Sequence, residues 1–128
     1  MMTRQEIFNK AYTHAKGMKQ LAKENDGKEF CRYLASNGER CLIGGFIAPE
    51  DYDPSVENNT VRTIFTPSES TEWKDYFIRI GLVSEEVSYD EISFLQDLQS
   101  CHDNAKNIHQ MMDYLKFFSE TRNLKIPD

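Results

Sequence analysis

The sequence predicts a helix-dominated α+β protein of about four helices with one β-hairpin near residues 30–43. Three observations carry this expectation. Apolar residues recur at helical spacing in four separate stretches, and one short stretch alternates as a strand does. A Ser-Asn-Gly turn follows that alternating stretch. With 128 residues, 39% apolar and 12% aromatic, the chain is long enough for one core and too aromatic for a disordered segment. A single domain over residues 1–128 is therefore expected.

The first helix is expected over residues 3–24. Thr3 followed by Glu6 reads as a capping box, in which each side chain satisfies the other residue's amide. Ile7, Phe8, Ala11, Tyr12, Ala15, Met18 and Ala22 form one apolar stripe, while Lys10, Lys16, Lys19 and Lys23 lie largely away from it as a solvated face. Asn25-Asp26-Gly27 supplies the stop. Phe30 to Leu34 then alternates, and Ser36-Asn37-Gly38 offers a tight turn, because Asn and Gly accept positive φ at low cost. Arg40-Cys41-Leu42-Ile43 is the returning strand or the start of a short helix. Gly44-Gly45 marks a sharp bend or a close approach of another group. Pro49 and Pro54 frame an acidic turn, and residues 55–70 read as loop with at most one short element.

Residues 69–80 place Trp73, Tyr76, Phe77 and Ile80 on one side of a helix that stops at Gly81. Ser88 caps the next helix, with Glu91 three residues later; Ile92, Phe94, Leu95, Leu98 and Cys101 then face inward, up to about His102. The last helix runs from Asn104 or Asn107 to Asn123. Its apolar residues are Ile108, Met111, Met112, Leu115 and Phe118, and the pairs Met111-Met112 and Phe117-Phe118 read as core.

The net charge of −6 is unevenly placed. Residues 1–64 hold nine Lys/Arg and nine Asp/Glu, whereas residues 65–128 hold six against twelve. An acidic half disfavours direct contact with nucleic-acid phosphates and suits a basic protein partner. The cluster Glu85, Glu86, Asp90, Glu91 and Asp97 is either a solvated face or the partner-binding surface, one version of which imitates a phosphate backbone. No apolar run approaches a membrane span, and Arg4, Glu6 and Lys10 interrupt any signal core. The expectation is a cytoplasmic protein without a membrane partner.

Three cysteines, an odd number, favour reduced thiols over a disulfide framework. Cys31, Cys41, Cys101 and His102 have the ligand types of a Cys3His zinc site, but the paired thiolates of a CxxC knuckle are missing. Buried structural thiols are the competing reading. A catalytic arrangement is also conceivable on residue types, with Cys41 as nucleophile, His102 as base and Asp97 or Asp103 as orienter. It requires a lowered thiol pKa and an imidazole within hydrogen-bond reach. His102-Asp103 reads equally as a charged pair at a helix end. No Walker loop, GxGxxG, HExxH or GxSxG occurs, and no cofactor is implied.

The stretch Arg40-Cys41-Leu42-Ile43-Gly44, followed by Ile47-Ala48-Pro49-Glu50-Asp51-Tyr52-Asp53-Pro54, resembles small accessory proteins of tailed phages and prophages. Thr3-Arg4-Gln5-Glu6-Ile7-Phe8 is similar to their opening helix, and Leu98-Gln99-Ser100-Cys101-His102-Asp103 to a pattern near their end. Gly45 departs from the family, where a bulkier residue, often Cys, stands. The family has no established activity, so no catalytic residue is carried over. The resemblance implies a phage accessory protein acting in the bacterial cytoplasm. Its expected role is to bind and modulate a host or anti-phage defence protein, with anti-defence inhibition the most specific version. The alternatives are a small Cys/His enzyme and a zinc-stabilised interaction module.

Overall fold

The structure is a computed structural model that describes residues 1–25, 29–65 and 72–127, with side chains at 25, 29–31 and 58 excluded. Helices dominate it. In chain order the elements are α1 (Arg4–Gly17), β1 (Lys23–Asn25), β2 (Glu29–Cys31), α2 (Val61–Ile64), α3 (Glu72–Arg79), α4 (Tyr89–Asp103) and α5 (Ile108–Thr121). Short 3-10 turns at Gly44–Phe46, Pro49–Asp51 and Pro54–Asn58 carry the chain between β2 and α2.

The capping box forms as its sequence requires: Glu6 N–H donates to Thr3 Oγ1 at 3.1 Å, and Thr3 N–H to Glu6 Oε1 at 2.8 Å. The helix is shorter than its apolar stripe, ending at Gly17 instead of residue 24. Glycine weakens a helix interior, and the next amides are then taken by distant side chains. Lys19 and Gln20 both donate to the Glu39 carboxylate, and Ala22 donates to His102. Met18, Leu21 and Ala22 stay buried all the same, outside any helix.

The expected pairing across residues 30–43 is reduced to one bridge, Leu34 with Arg40. The turn itself is present: Gly38 has φ 86°, and its amide donates to the Ala35 carbonyl. A ladder fails because its donors go elsewhere. The amides of Tyr33 and Leu34 donate to the Glu57 carboxylate, and that of Ile43 to Gln99. Three-residue antiparallel pairing occurs instead between β1 and β2, with Glu24 opposite Phe30. Asn25 thus ends a strand and not a helix, while Asp26 and Gly27 lie outside the described residues.

Gly44 marks a close approach: a Cβ there would fall inside the Tyr33 carbonyl, and one at Gly45 would meet the His14 ring at 2.9 Å. The helix over 69–80 is described from Glu72, and the residues before it lie outside the described set. Its end follows the sequence: Gly81 has φ 83°, its amide bonds Ile78 and that of Leu82 bonds Phe77. Ser88 and Asn107 cap α4 and α5.

One contiguous cluster of buried side chains joins these elements. Phe8 of α1 stacks on Phe118 of α5, with centroids 5.9 Å apart, and Phe94 of α4 tilts against the same ring at 5.3 Å. No described helix is long and apolar enough to cross a membrane.

Candidate functional site

α4 organises every candidate, because its successive faces meet different parts of the fold. Residues 98 and 102, one turn apart, point into the core. His102 has no exposed surface. The Ala22 amide can only donate, so His102 Nε2 accepts at 2.9 Å and the ring proton sits on Nδ1. Nδ1 in turn donates to Asp103 Oδ1 at 2.9 Å. The same carboxylate oxygen accepts from Gln99 Nε2, and Gln99 Oε1 accepts the Ile43 amide. This chain, buried at His102 and Gln99, ties the end of α4 to the segments at Ala22 and Ile43.

The catalytic trio is therefore assembled only in part. Asp103 does orient His102, as expected of a triad acid, but the nitrogen a general base would use is already bonded to backbone. Cys41 is 1% exposed. Burial pushes its thiol well above its ordinary value, and the Gly44 amide bonding to Sγ offsets part of that. A nucleophile needs the opposite shift. Asp97, the other candidate orienter, faces away and pairs with Arg122 at 2.6 Å.

The zinc set is not gathered among the described residues, where no group of three or more His, Cys, Asp or Glu could hold an ion. Cys101 Sγ donates to the Asp97 carbonyl at 3.6 Å, and burial pushes its thiol up to about 12. Both His102 nitrogens are occupied, and the Cys31 side chain lies outside the described residues.

The acidic candidates divide by role. Glu85, Glu86 and Asp90 are exposed around the start of α4. Glu91 is a structural acceptor that takes the Ser84 amide at 2.9 Å and the Ser84 hydroxyl at 2.7 Å. Burial alone would raise its pKa, but the bonds from Ser84 and Ser88 outweigh it and hold the carboxyl below the usual glutamate range. Asp90 and Asp97 are seven residues apart, so two helical turns return them to one face.

That face leads to a feature sequence reasoning missed. Phe117 is 66% exposed and Tyr114 37%, although Phe117 was expected in the core. Neighbouring helix residues point about 100° apart. Once Phe118 enters the core at 3% exposure, Phe117 cannot follow. The two exposed rings line a groove of about 340 Å³ between α4 and α5, with Asp97, Cys101 and Arg122 on its other walls. Arg122 lies 4.1 Å over the Phe118 ring while bonded to Asp97, so its position is held from two sides. The signal was legible only as spacing: Tyr114 and Phe117 sit three apart, off the Met111–Leu115–Phe118 stripe.

Neither a protein-family model, nor a curated protein, nor a solved structure matches the chain.

Proposed function

We propose that this chain is a binding protein whose α4–α5 face docks on a basic protein surface. The observation that carries it is the exposed Tyr114–Phe117 pair at an open groove. Large aromatics are costly to leave in water and are the residues that dominate interface energetics. Asp97 at the groove is paired with Arg122, so the acidic rim comes from Asp90 on the same helix face and from Asp113 and Glu120, exposed on α5. A partner with an apolar anchor flanked by Lys or Arg complements it. The likeness of the stretch from Arg40 to Pro54 to phage accessory proteins supports a bacterial host or defence protein as the partner, met in the host cytoplasm, with anti-defence inhibition the specific version.

The test is affinity capture from bacterial cells with the wild type and Phe117→Ser in parallel. Stoichiometric recovery of one protein by the wild type, lost in the variant, is the expected result. Equal recovery by both would remove the groove from the reading. The dyad reading, a Cys41–His102 enzyme, finds no support in the geometry, since neither group is free to act.

A further inference from the structure

We propose that the cleft between α1 and the turns at Gly44–Phe46 and Pro49–Asp51 binds a small organic anion, a single apolar ring carrying a phosphate or carboxylate group. The cleft holds about 430 Å³, within the range of ligand pockets and enough for one ring with its charged group. It shares no lining residue with the α4–α5 groove, so this site stands apart from the docking surface.

Two cations are fixed on its wall. Lys10 of α1 holds its Nζ 5.2 Å from the centre of the Phe46 ring. Arg40 Nη1 donates to the carbonyl of the next residue, Ile47. His14, one helical turn beyond Lys10, anchors the same segment to α1, its Nε2 donating to the Arg40 carbonyl at 2.8 Å. Lys10 and Arg40 thus converge on adjacent residues of the chain. The carbonyl of Ile47 engages only part of the Arg40 fork, and its other N–H groups remain for an oxyanion, the geometry that guanidinium recognises best.

Charge accounting selects an anion. Among the described residues neither Lys10 nor Arg40 pairs with a carboxylate. Asp51 is the one carboxylate in the lining, and the Tyr76 hydroxyl donates to it at 3.0 Å. Glu6, on the adjoining surface, is committed to the Thr3 cap. Two cations against one carboxylate leave this cleft positive in a chain whose net charge is −6. The rest of the lining selects the ligand's body. Phe46, Pro49 and Ile80 give the cleft an apolar side, which a ring would cover and a bare inorganic ion would leave in water.

The experiment follows the Gly45 and Ile47 amides and the Arg40 Nε–H of the full chain by NMR at constant ionic strength. Phenyl phosphate, benzoate, benzyl alcohol and inorganic phosphate are each added to millimolar concentration. Saturable shifts with a ring anion, weaker binding of inorganic phosphate and weaker binding of benzyl alcohol are expected. The tighter of the two ring anions identifies the charged group. Lys10→Gln should weaken that anion about threefold, the worth of one exposed ion pair, and Lys10→Arg should keep most of the affinity. Lys10 is exposed, so both variants should fold as the wild type does. Benzyl alcohol binding as tightly as the anions would make the cleft an apolar pocket and overturn the proposal. Inorganic phosphate binding as tightly as phenyl phosphate would reduce it to a charged surface, with the same consequence. No saturation by either ring anion, or unchanged affinity in Lys10→Gln, would also overturn it.

Discussion

His102 joins two loops through one ring. Removing it leaves the Ala22 amide without its acceptor and takes one of its donors from the Asp103 carboxylate, in a region the side chain also fills. His102→Ala should therefore cost roughly 3 kcal/mol or more, from cavity and lost bonds together. Urea unfolding at neutral pH measures it, and a loss under about 1 kcal/mol would mean the network is dispensable. Cys41 and Cys101 are buried with raised pKa values, so an alkylating reagent at pH 7.5 should leave both unmodified in the native protein and modify both in denaturant. Peptide mapping distinguishes them from Cys31, and rapid native labelling of Cys41 would revive the enzyme reading. Gly44→Ala forces a methyl into the Tyr33 carbonyl and should destabilise by roughly 1–3 kcal/mol, read from the same unfolding curves.

At the scale of the element, α4 depends on its first turn. Glu91 holds Ser84 and Ser88 in place, and its pKa is lower in the folded chain than the ordinary 4.5. A carboxyl depressed by folding contributes stability that is fully present above its unfolded value and is lost as the pH falls through its folded value. Glu91→Gln should accordingly be less stable than the wild type at pH 7, with the gap closing below pH 4.5. Unfolding midpoints across a pH series test this, and a gap constant with pH would assign the loss to shape and not charge. On α5, Phe117→Ser touches an exposed ring and should change stability by no more than about 0.5 kcal/mol. Lost capture in that variant then reports the interface and not the fold.

For the whole molecule the question is what the uneven charge does. Glu85, Glu86 and Asp90 are exposed, whereas Glu91 is committed to its serines, so the informative charge reversal is a triple one that spares Glu91. Exposed charges are screened beyond about 8 Å at physiological ionic strength and act chiefly on encounter. With the captured partner in hand, the triple Lys variant should associate more slowly with little change in dissociation, and wild-type affinity should fall as salt rises. Surface-based kinetics over a salt series measure both. A flat response would leave these carboxylates as solubilising groups alone.

What the residues determined by themselves is local. The caps at Thr3 and Ser88 and the stop at Gly81 were readable because each is completed by partners within five residues, and the same local bond decided for Asn107 over Asn104. Helix-dominated class and the core stripe of α4 follow from spacing alone. What only the tertiary structure decided involves partners far along the chain. α1 ends early because Lys19 finds Glu39, 20 residues on, and Ala22 finds His102, 80 residues on. Pairing across residues 30–43 stops at one bridge because Glu57 and Gln99 take the amides that a ladder would need. Tyr114 and Phe117 came to the surface for a related reason: a helix presents one stripe to its core, and packing against Phe8 and Phe94 assigned that stripe to Phe118. Periodicity ranks the faces of a helix, but a long-range contact chooses which one is buried.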